Sequence, residues 1–230
     1  MKGQIVYIEG HMASEDQAQQ ALASFKKWNW DVELHKGLTA ETVQDTEEFK
    51  NLKIVEKSRL LDFKVENYHK YLTKVACAIN NIQFWKKIIE NNETMAFIEH
   101  DAICVASWDN FKFFDYLILN CESVFKPPNK LAILQCMNYN WKTFGIAQWS
   151  EDYPLKYHRK NLWYNSFMAP GTGAYAMTPV GATKMINAIE THGFDQSDFM
   201  INSHNVMMQT CIPSPVKFNT VNLSTSYGIQ

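Results

Sequence analysis

The chain has 230 residues, enough for one sizeable α/β domain with a substantial buried core. With 46% hydrophobic and 20% charged residues its makeup is that of an ordinary globular protein, which sets aside a fibrous or disordered chain. A net charge of -2 gives no global field for recruiting nucleic acid, although a local basic patch is compatible with it.

The 14 Phe, 10 Tyr and 7 Trp favour a dense core and also supply flat surfaces for stacking sugars or bases. Cys77, Cys104, Cys121, Cys136 and Cys211 are scattered, odd in number and without C-x-x-C spacing. That pattern indicates neither a zinc site nor a disulfide framework, and buried reduced thiols fit a reducing compartment. The N-terminus opens directly into an apolar run at Ile5, with no basic stretch leading into a long apolar one, so no signal peptide is expected. No run reaches the ~18 apolar residues of a membrane span. A cytoplasmic protein without a transmembrane segment is the expectation.

Residues 4–9 read as a first strand. Ser14 with Gln17 three positions on resembles a capping box, and a helix is expected to about Trp28, with Ala18, Leu22 and Phe25 on one face. Residues 32–35 form a second strand candidate, closing a βαβ unit; residues 37–61 are polar and show no clear period. The clearest helix covers about 67–91, where Tyr68, Tyr71, Val75, Ile79, Ile82, Trp85 and Ile89 recur at steps of three and four.

Residues 94–98 read as a buried strand that ends in Glu99-His100-Asp101, followed by a second apolar run at 102–105. Further strand candidates are 116–119, 131–135 and 174–177. Thr178 and Pro179 have the residue types of a cap and first turn for a helix ending near Gly193. From Pro213 a last strand and a loop are expected.

Strand-helix alternation predicts an α/β domain with a mostly parallel central sheet flanked by helices. The chain reads as one domain over 1–230, with a nucleotide-binding half to about residue 110 and an acceptor-side half after it. Ligands of such sheets sit at the carboxyl ends of the strands, where Glu99 to Asp101 falls. Carboxylate oxygens two residues apart suit a hard divalent cation, which can neutralise a departing diphosphate. A solvated acidic turn is the ordinary alternative for the same residues. No G-x-G-x-x-G or Walker motif is present, which argues against a dinucleotide-binding dehydrogenase and a P-loop enzyme.

Two longer stretches carry a resemblance. The first runs from Ala76-Cys77-Ala78-Ile79-Asn80-Asn81-Ile82 through Trp85 to Phe97-Ile98-Glu99-His100-Asp101-Ala102; the second is Gly171-Thr172-Gly173-Ala174-Tyr175-Ala176-Met177-Thr178-Pro179-Val180-Gly181-Ala182. Together they resemble glycosyltransferase family 25, the lipopolysaccharide glycosyltransferases and collagen galactosyltransferases. The chain departs from the family pattern in two places. The family's serine-histidine pair reads Asn80-Asn81, and its middle acidic residue is His100.

The resemblance implies a glycosyltransferase-A-like fold and a nucleotide-sugar donor. It further implies a Mn²⁺ or Mg²⁺ cofactor on Glu99, His100 and Asp101, and inversion at the anomeric carbon. Residues 194–199 resemble a downstream family segment, so Asp198, with Asp195 as second choice, is expected to take the acceptor proton; opening a short helix is an equally common use of Asp195. Ser224-Thr225 resembles the family's terminal pair, near the donor. In such a fold Ile8, Glu9, Gly10 and Lys36 follow the first strands and face the nucleotide, with Gly173, Ala174 and Tyr175 beside the donor sugar.

The stretch 153–164 places Lys156, Arg159 and Trp163 among other basic and aromatic residues. Such a loop can stack sugar faces or grip phosphates, and is read as the acceptor side. A saccharide acceptor follows from the resemblance. The alternatives are a hydroxymethylated DNA base, as in phage-type DNA glycosyltransferases, and a sugar- or nucleotide-binding module that has lost turnover.

Overall fold

The computed structural model describes residues 1–56, 58–108, 112–120, 173–202, 204–211 and 214–219, with the backbone of 143–145. The expected strand at 131–135 lies outside them, as do Gly171, Thr172, Lys156, Arg159, Trp163, Ser224 and Thr225.

The strands are β1 (Lys2–Tyr7), β2 (Asp31–Lys36), β3 (Met95–Glu99), β4 (Ala102–Cys104), β5 (Tyr116–Ile118), β6 (Thr143–Gly145), β7 (Ala174–Met177), β8 (Met208–Cys211) and β9 (Val216–Phe218). The helices are α1 (Met12–Lys27), α2 (Glu47–Lys50), α3 (Arg59–Glu66), α4 (Tyr68–Asn91), α5 (Pro179–His192) and α6 (Ser197–Met200). A single 3-10 turn, Val43–Asp45, precedes α2. The polar stretch after β2 thus becomes a chain of short helices, too short for a readable apolar period.

Seven strands form one sheet in the order β2-β1-β3-β7-β5-β8-β6. The β1 strand is parallel to both neighbours, and β5 is parallel to β8; β7 opposes β3 and β5, and β6 opposes β8. Five strands therefore share one direction, so the sheet is mostly parallel with two reversed strands. Helices cover both faces, which explains why β3 and β7 read as unbroken apolar runs rather than as alternating ones.

Alternation still sorts the side chains. Met95, Phe97, Tyr116, Ile118, Tyr175 and Met208 face a core shared with α4 and α5, whereas Ile5, Ala96, Ile98, Leu117, Ala174 and Cys211 face α1. No helix among the described residues is long and apolar enough to cross a membrane.

One local expectation is corrected, and two features carried no reading beforehand. Helix α1 begins two residues before Ser14, and its cap is His11, whose Nδ1 accepts the Ser14 N–H at 3.2 Å. Ser14 is instead fully buried and takes the Ile8 N–H on its hydroxyl at 2.9 Å, tying the exit of β1 to the helix. The apolar run after the acidic turn does not join the main sheet: β4 pairs antiparallel with β9 in a separate ribbon. Strand β8, with Gln209 and Thr210 among its four residues, gave no sequence signal because its polar side chains are buried alongside the apolar ones.

Candidate functional site

The chain leaving β1 and β2 and the first half of α4 line a cleft of about 240 Å³. Ile8 and His11 come from the β1 exit, Leu38 to Glu41 from the chain after β2, and His69, Thr73, Ala76 and Cys77 from α4. Asn80 braces one wall from behind: its Oδ1 accepts the Leu38 N–H at 2.8 Å, which fixes the backbone leaving β2 against the helix. Asn81 works one position on, accepting the Tyr175 hydroxyl at 2.6 Å while donating to the Cys77 carbonyl at 2.9 Å. The amide pair thus has two structural tasks. Its sequence signal was the presence of two carboxamides within an apolar helix stripe.

Of the residues expected at the nucleotide, Ile8 lines this cleft. Glu9 and Lys36 form an exposed ion pair with each other across the two strand exits. Gly10 makes the turn between them and α1 with φ 78°, a left-handed conformation that favours glycine, and donates its N–H to Glu15. His11, which follows the first strand beside Gly10 and is expected with it to face the nucleotide, lines the cleft too, whereas His69 and Thr73 were not singled out by sequence reasoning; as isolated polar residues they carried no pattern before the fold gathered them.

Glu99 is the last residue of β3, and its N–H donates to the Gly173 carbonyl at 2.7 Å. Its charge acts on Cys77, Tyr116 and Tyr175, all on the α4 side of the sheet. The charge of Asp198, on α6, acts on Cys77 and Tyr116 as well. Two carboxylates separated by almost a hundred residues therefore act on the same two groups, Cys77 and Tyr116, on the α4 side of the sheet. Cys77 opens onto the cleft but has protein on its other sides; that burial, with the Glu99 and Asp198 charges against an opposing Lys74, pushes its thiol up to about 11. Burial, then Asp198 and Glu99, holds the Tyr116 hydroxyl well above its ordinary value.

His100 and Asp101 sit in the turn beyond the strand, so the extended spacing that would align Asp101 with Glu99 does not hold there. Burial lowers the pKa of His100 and raises that of Asp101, while each charge opposes the other's shift. The Val6 carbonyl and His11 also act on His100, which places it toward β1 and α1.

Among the described residues no three His, Cys, Asp or Glu side chains converge as a metal-binding group, so the expected trio of Glu99, His100 and Asp101 is not assembled. The donor chemistry does suit a cation held largely by a diphosphate. His100 Nε2 and Asp101 Oδ1 are buried with no hydrogen-bonding partner among the described residues. Mg²⁺ commonly takes one or two carboxylates and completes its shell with phosphate and water, and imidazole nitrogen suits Mn²⁺.

Other expected site residues have structural work. Tyr175 is fully buried, with its ring stacked on Phe97 at 5.4 Å and its hydroxyl accepting from Trp85 Nε1 at 2.9 Å. It is part of the sheet floor and has no surface for a sugar. Ala174 is likewise buried in the α1 core. A Cβ on Gly173 would lie 2.0 Å from the Phe218 ring, so this glycine makes room for β9 rather than for a ligand. Asp195 is buried and accepts from Ser58 Oγ at 2.5 Å and from the Gln196 N–H at 2.7 Å. It ties the cap of α3 to the chain entering α6, so of the two candidate bases Asp195 is engaged in structure and Asp198 is the one that acts on Cys77 at the cleft.

No protein-family model and no curated relative matches the chain. Among solved structures, the galactosyltransferase LgtC in complex with donor and acceptor sugar analogs is similar at a TM-score of 0.42 and 9% identity, over 96% of this chain and 87% of that one. Likeness of that degree assigns neither a residue nor an activity to this chain.

Proposed function

We propose that the protein is a glycosyltransferase that moves a sugar from a nucleotide-sugar donor to a hydroxyl acceptor. The observation that carries this reading is that Cys77 lines the cleft at the ends of β1 and β2 and feels the charges of both Glu99, the last residue of β3, and Asp198. Open α/β sheets hold nucleotides at the carboxyl ends of their strands. The resemblance to family 25 in residues 76–102 runs through the α4 wall of the cleft and the turn after β3.

In this reading the nucleotide lies in the cleft between Ile8 and Thr73. His100 and Asp101 would hold a Mn²⁺ or Mg²⁺ ion whose chemistry is to neutralise the departing diphosphate. Asp198 accepts the proton of the acceptor hydroxyl as it attacks the anomeric carbon, and Glu99 orients the group in transfer. A base on the acceptor's side of the sugar corresponds to inversion by direct displacement. The acceptor is a saccharide, as the resemblance implies.

The test is a panel of nucleotide sugars incubated with the protein and Mn²⁺, read as release of nucleoside diphosphate with and without glycoside acceptors. Wild type should release it. Asp198→Asn should lower transfer about 10²–10⁴-fold, the ordinary contribution of a general base, while folding and donor binding persist. Release by no donor on the panel, or full transfer by Asp198→Asn, contradicts the assignment.

A further inference from the structure

Asn120 and Thr210 are buried at 1% and 0% exposure. Asn120 Oδ1, Asn120 Nδ2 and Thr210 Oγ1 have no hydrogen-bonding partner among the described residues. Folded proteins leave few such atoms, because a buried polar group that gives up water and gains no partner destabilises the fold.

Strand register puts the two residues on one face of the sheet, a diagonal step apart. Thr210 lies opposite Ile118 in the β5–β8 ladder, and Ile118 lies opposite Tyr175 in the β5–β7 ladder. Ile118 and Tyr175 face the α4 core, whereas Leu119 and Cys211 face the α1 core. Alternation therefore turns Thr210, and Asn120 just past Leu119, to the α4 side. With strands ~4.8 Å apart and a rise of ~3.3 Å per residue, the two Cα atoms are about 8 Å apart on the diagonal. Glu99 is on the same face: its N–H meets the Gly173 carbonyl as that of Leu119 meets Ala174, so Gly173 separates Glu99 from Asn120 along the rim. Asp198 acts on Tyr116 of the same strand and face.

We propose that Asn120 and Thr210 bind the hydroxyl groups of a sugar at the carboxyl rim, across β7 from the nucleotide cleft. The pair's place in a reaction rests on the glycosyltransferase reading; the sugar-binding claim stands on the buried atoms themselves. A carboxamide presents a donor beside an acceptor, and a threonine hydroxyl can act as either. That set is the neutral complement of adjacent sugar hydroxyls, each of which donates and accepts. It brings no cation, so it has little to offer a phosphate. The spacing lets one ring reach both residues. The sugar belongs either to the donor or to the acceptor, and the two sources give different results when the pair is removed.

The experiment uses the full chain with Thr210→Val and Asn120→Leu, which keep volume and delete the polar atoms. Probes are uridine and guanosine diphosphates, their hexose conjugates, and free methyl hexosides, read by calorimetry and by saturation-transfer NMR. Both variants should melt at or above the wild-type temperature, since each removes an unsatisfied buried group.

If the sugar is the donor's, affinity for the nucleotide hexose falls at least tenfold toward that of the bare diphosphate, which stays unchanged. If it is the acceptor's, nucleotide-hexose binding is unchanged and the methyl hexoside signal is lost. Unaltered binding of every sugar by both variants overturns the proposal, as does a lowered melting temperature with sugar binding intact, which marks a structural role. A wild-type protein that binds neither kind of sugar also overturns it. A wild type that binds methyl hexosides yet releases no diphosphate sinks the glycosyltransferase reading alone.

Discussion

Tyr175 illustrates how a residue can be read correctly as important and wrongly as to why. Its motif position suggested a sugar platform, yet its hydroxyl is the hub between Asn81 and Trp85. Tyr175→Phe leaves a buried indole N–H and a buried amide oxygen each short of a partner. The cost is about 1–3 kcal/mol, or several degrees of melting temperature in a chain of this size. Nucleotide affinity, measured by calorimetry, should not change; a large loss with unchanged melting would return Tyr175 to the ligand. Cys77 gives an independent residue-scale check. With its thiol pushed up to about 11, it is protonated at neutral pH and gains reactivity only as pH rises toward that value. Alkylation at pH 8 should be slow although the thiol opens onto the cleft, and fast alkylation there would contradict the surrounding carboxylates.

The elements differ in how plainly they could be read. Helix α4 was legible because its long stripe repeats at steps of three and four, and its cap, Asn67, accepts the Lys70 N–H in the expected manner. Helix α5 was legible from Thr178, Pro179 and Gly193. Helix α2 was not: four residues hold no period, and its place is set by contacts with α4 rather than by its own sequence. Glu48 makes one such contact, reaching Lys86 Nζ at 2.5 Å and Gln83 Nε2 at 3.4 Å. Burial pushes the Glu48 carboxyl up, but Lys86, the Glu48 backbone N–H and Gln83 together bring it below its ordinary value. A depressed folded pKa means stability that is present above the unfolded value and is lost as pH falls through the folded one. Glu48→Gln should therefore melt lower than wild type at pH 7, by an amount equivalent to about 1 kcal/mol or less since Lys86 is half exposed. The gap should narrow and close as pH falls below the ordinary carboxylate range and through the depressed folded value. A gap that persists there would place the effect in packing rather than charge.

For the whole molecule, strand-helix alternation was enough to anticipate a mostly parallel sheet and a ligand rim at its carboxyl ends. It was not enough to anticipate the two reversed strands or the β4–β9 ribbon, because strand direction and partner are decided by chain crossings that leave no local mark. The site was legible to the same extent. Glu99, Asp101 and Asp198 stood out as acidic residues at element ends, but the partition that sets Glu99 and Asp198 toward α4, and His100 toward β1 and α1, depends on alternation and on the turn after β3.

The charge at the end of β3 makes a further prediction. Glu99 ends the strand and Asp101 lies in the turn after it, in a chain with net charge -2, and a nucleoside diphosphate entering there adds further negative charge. Like charges at short range repel most where water is thin, and less as salt screens them over about 8 Å at physiological ionic strength. On the proposed reading, a divalent cation held at His100 and Asp101 would reverse the sign of that interaction. Diphosphate affinity should therefore drop at least tenfold in EDTA and recover with Mn²⁺, whereas binding of the matching uncharged nucleoside should be the same in both. Asp101→Ala should remove the Mn²⁺ response and leave nucleoside binding intact. Equal diphosphate binding with and without the metal would mean that the cleft balances the phosphate charge with its own groups, and the cation would lose its place at this turn.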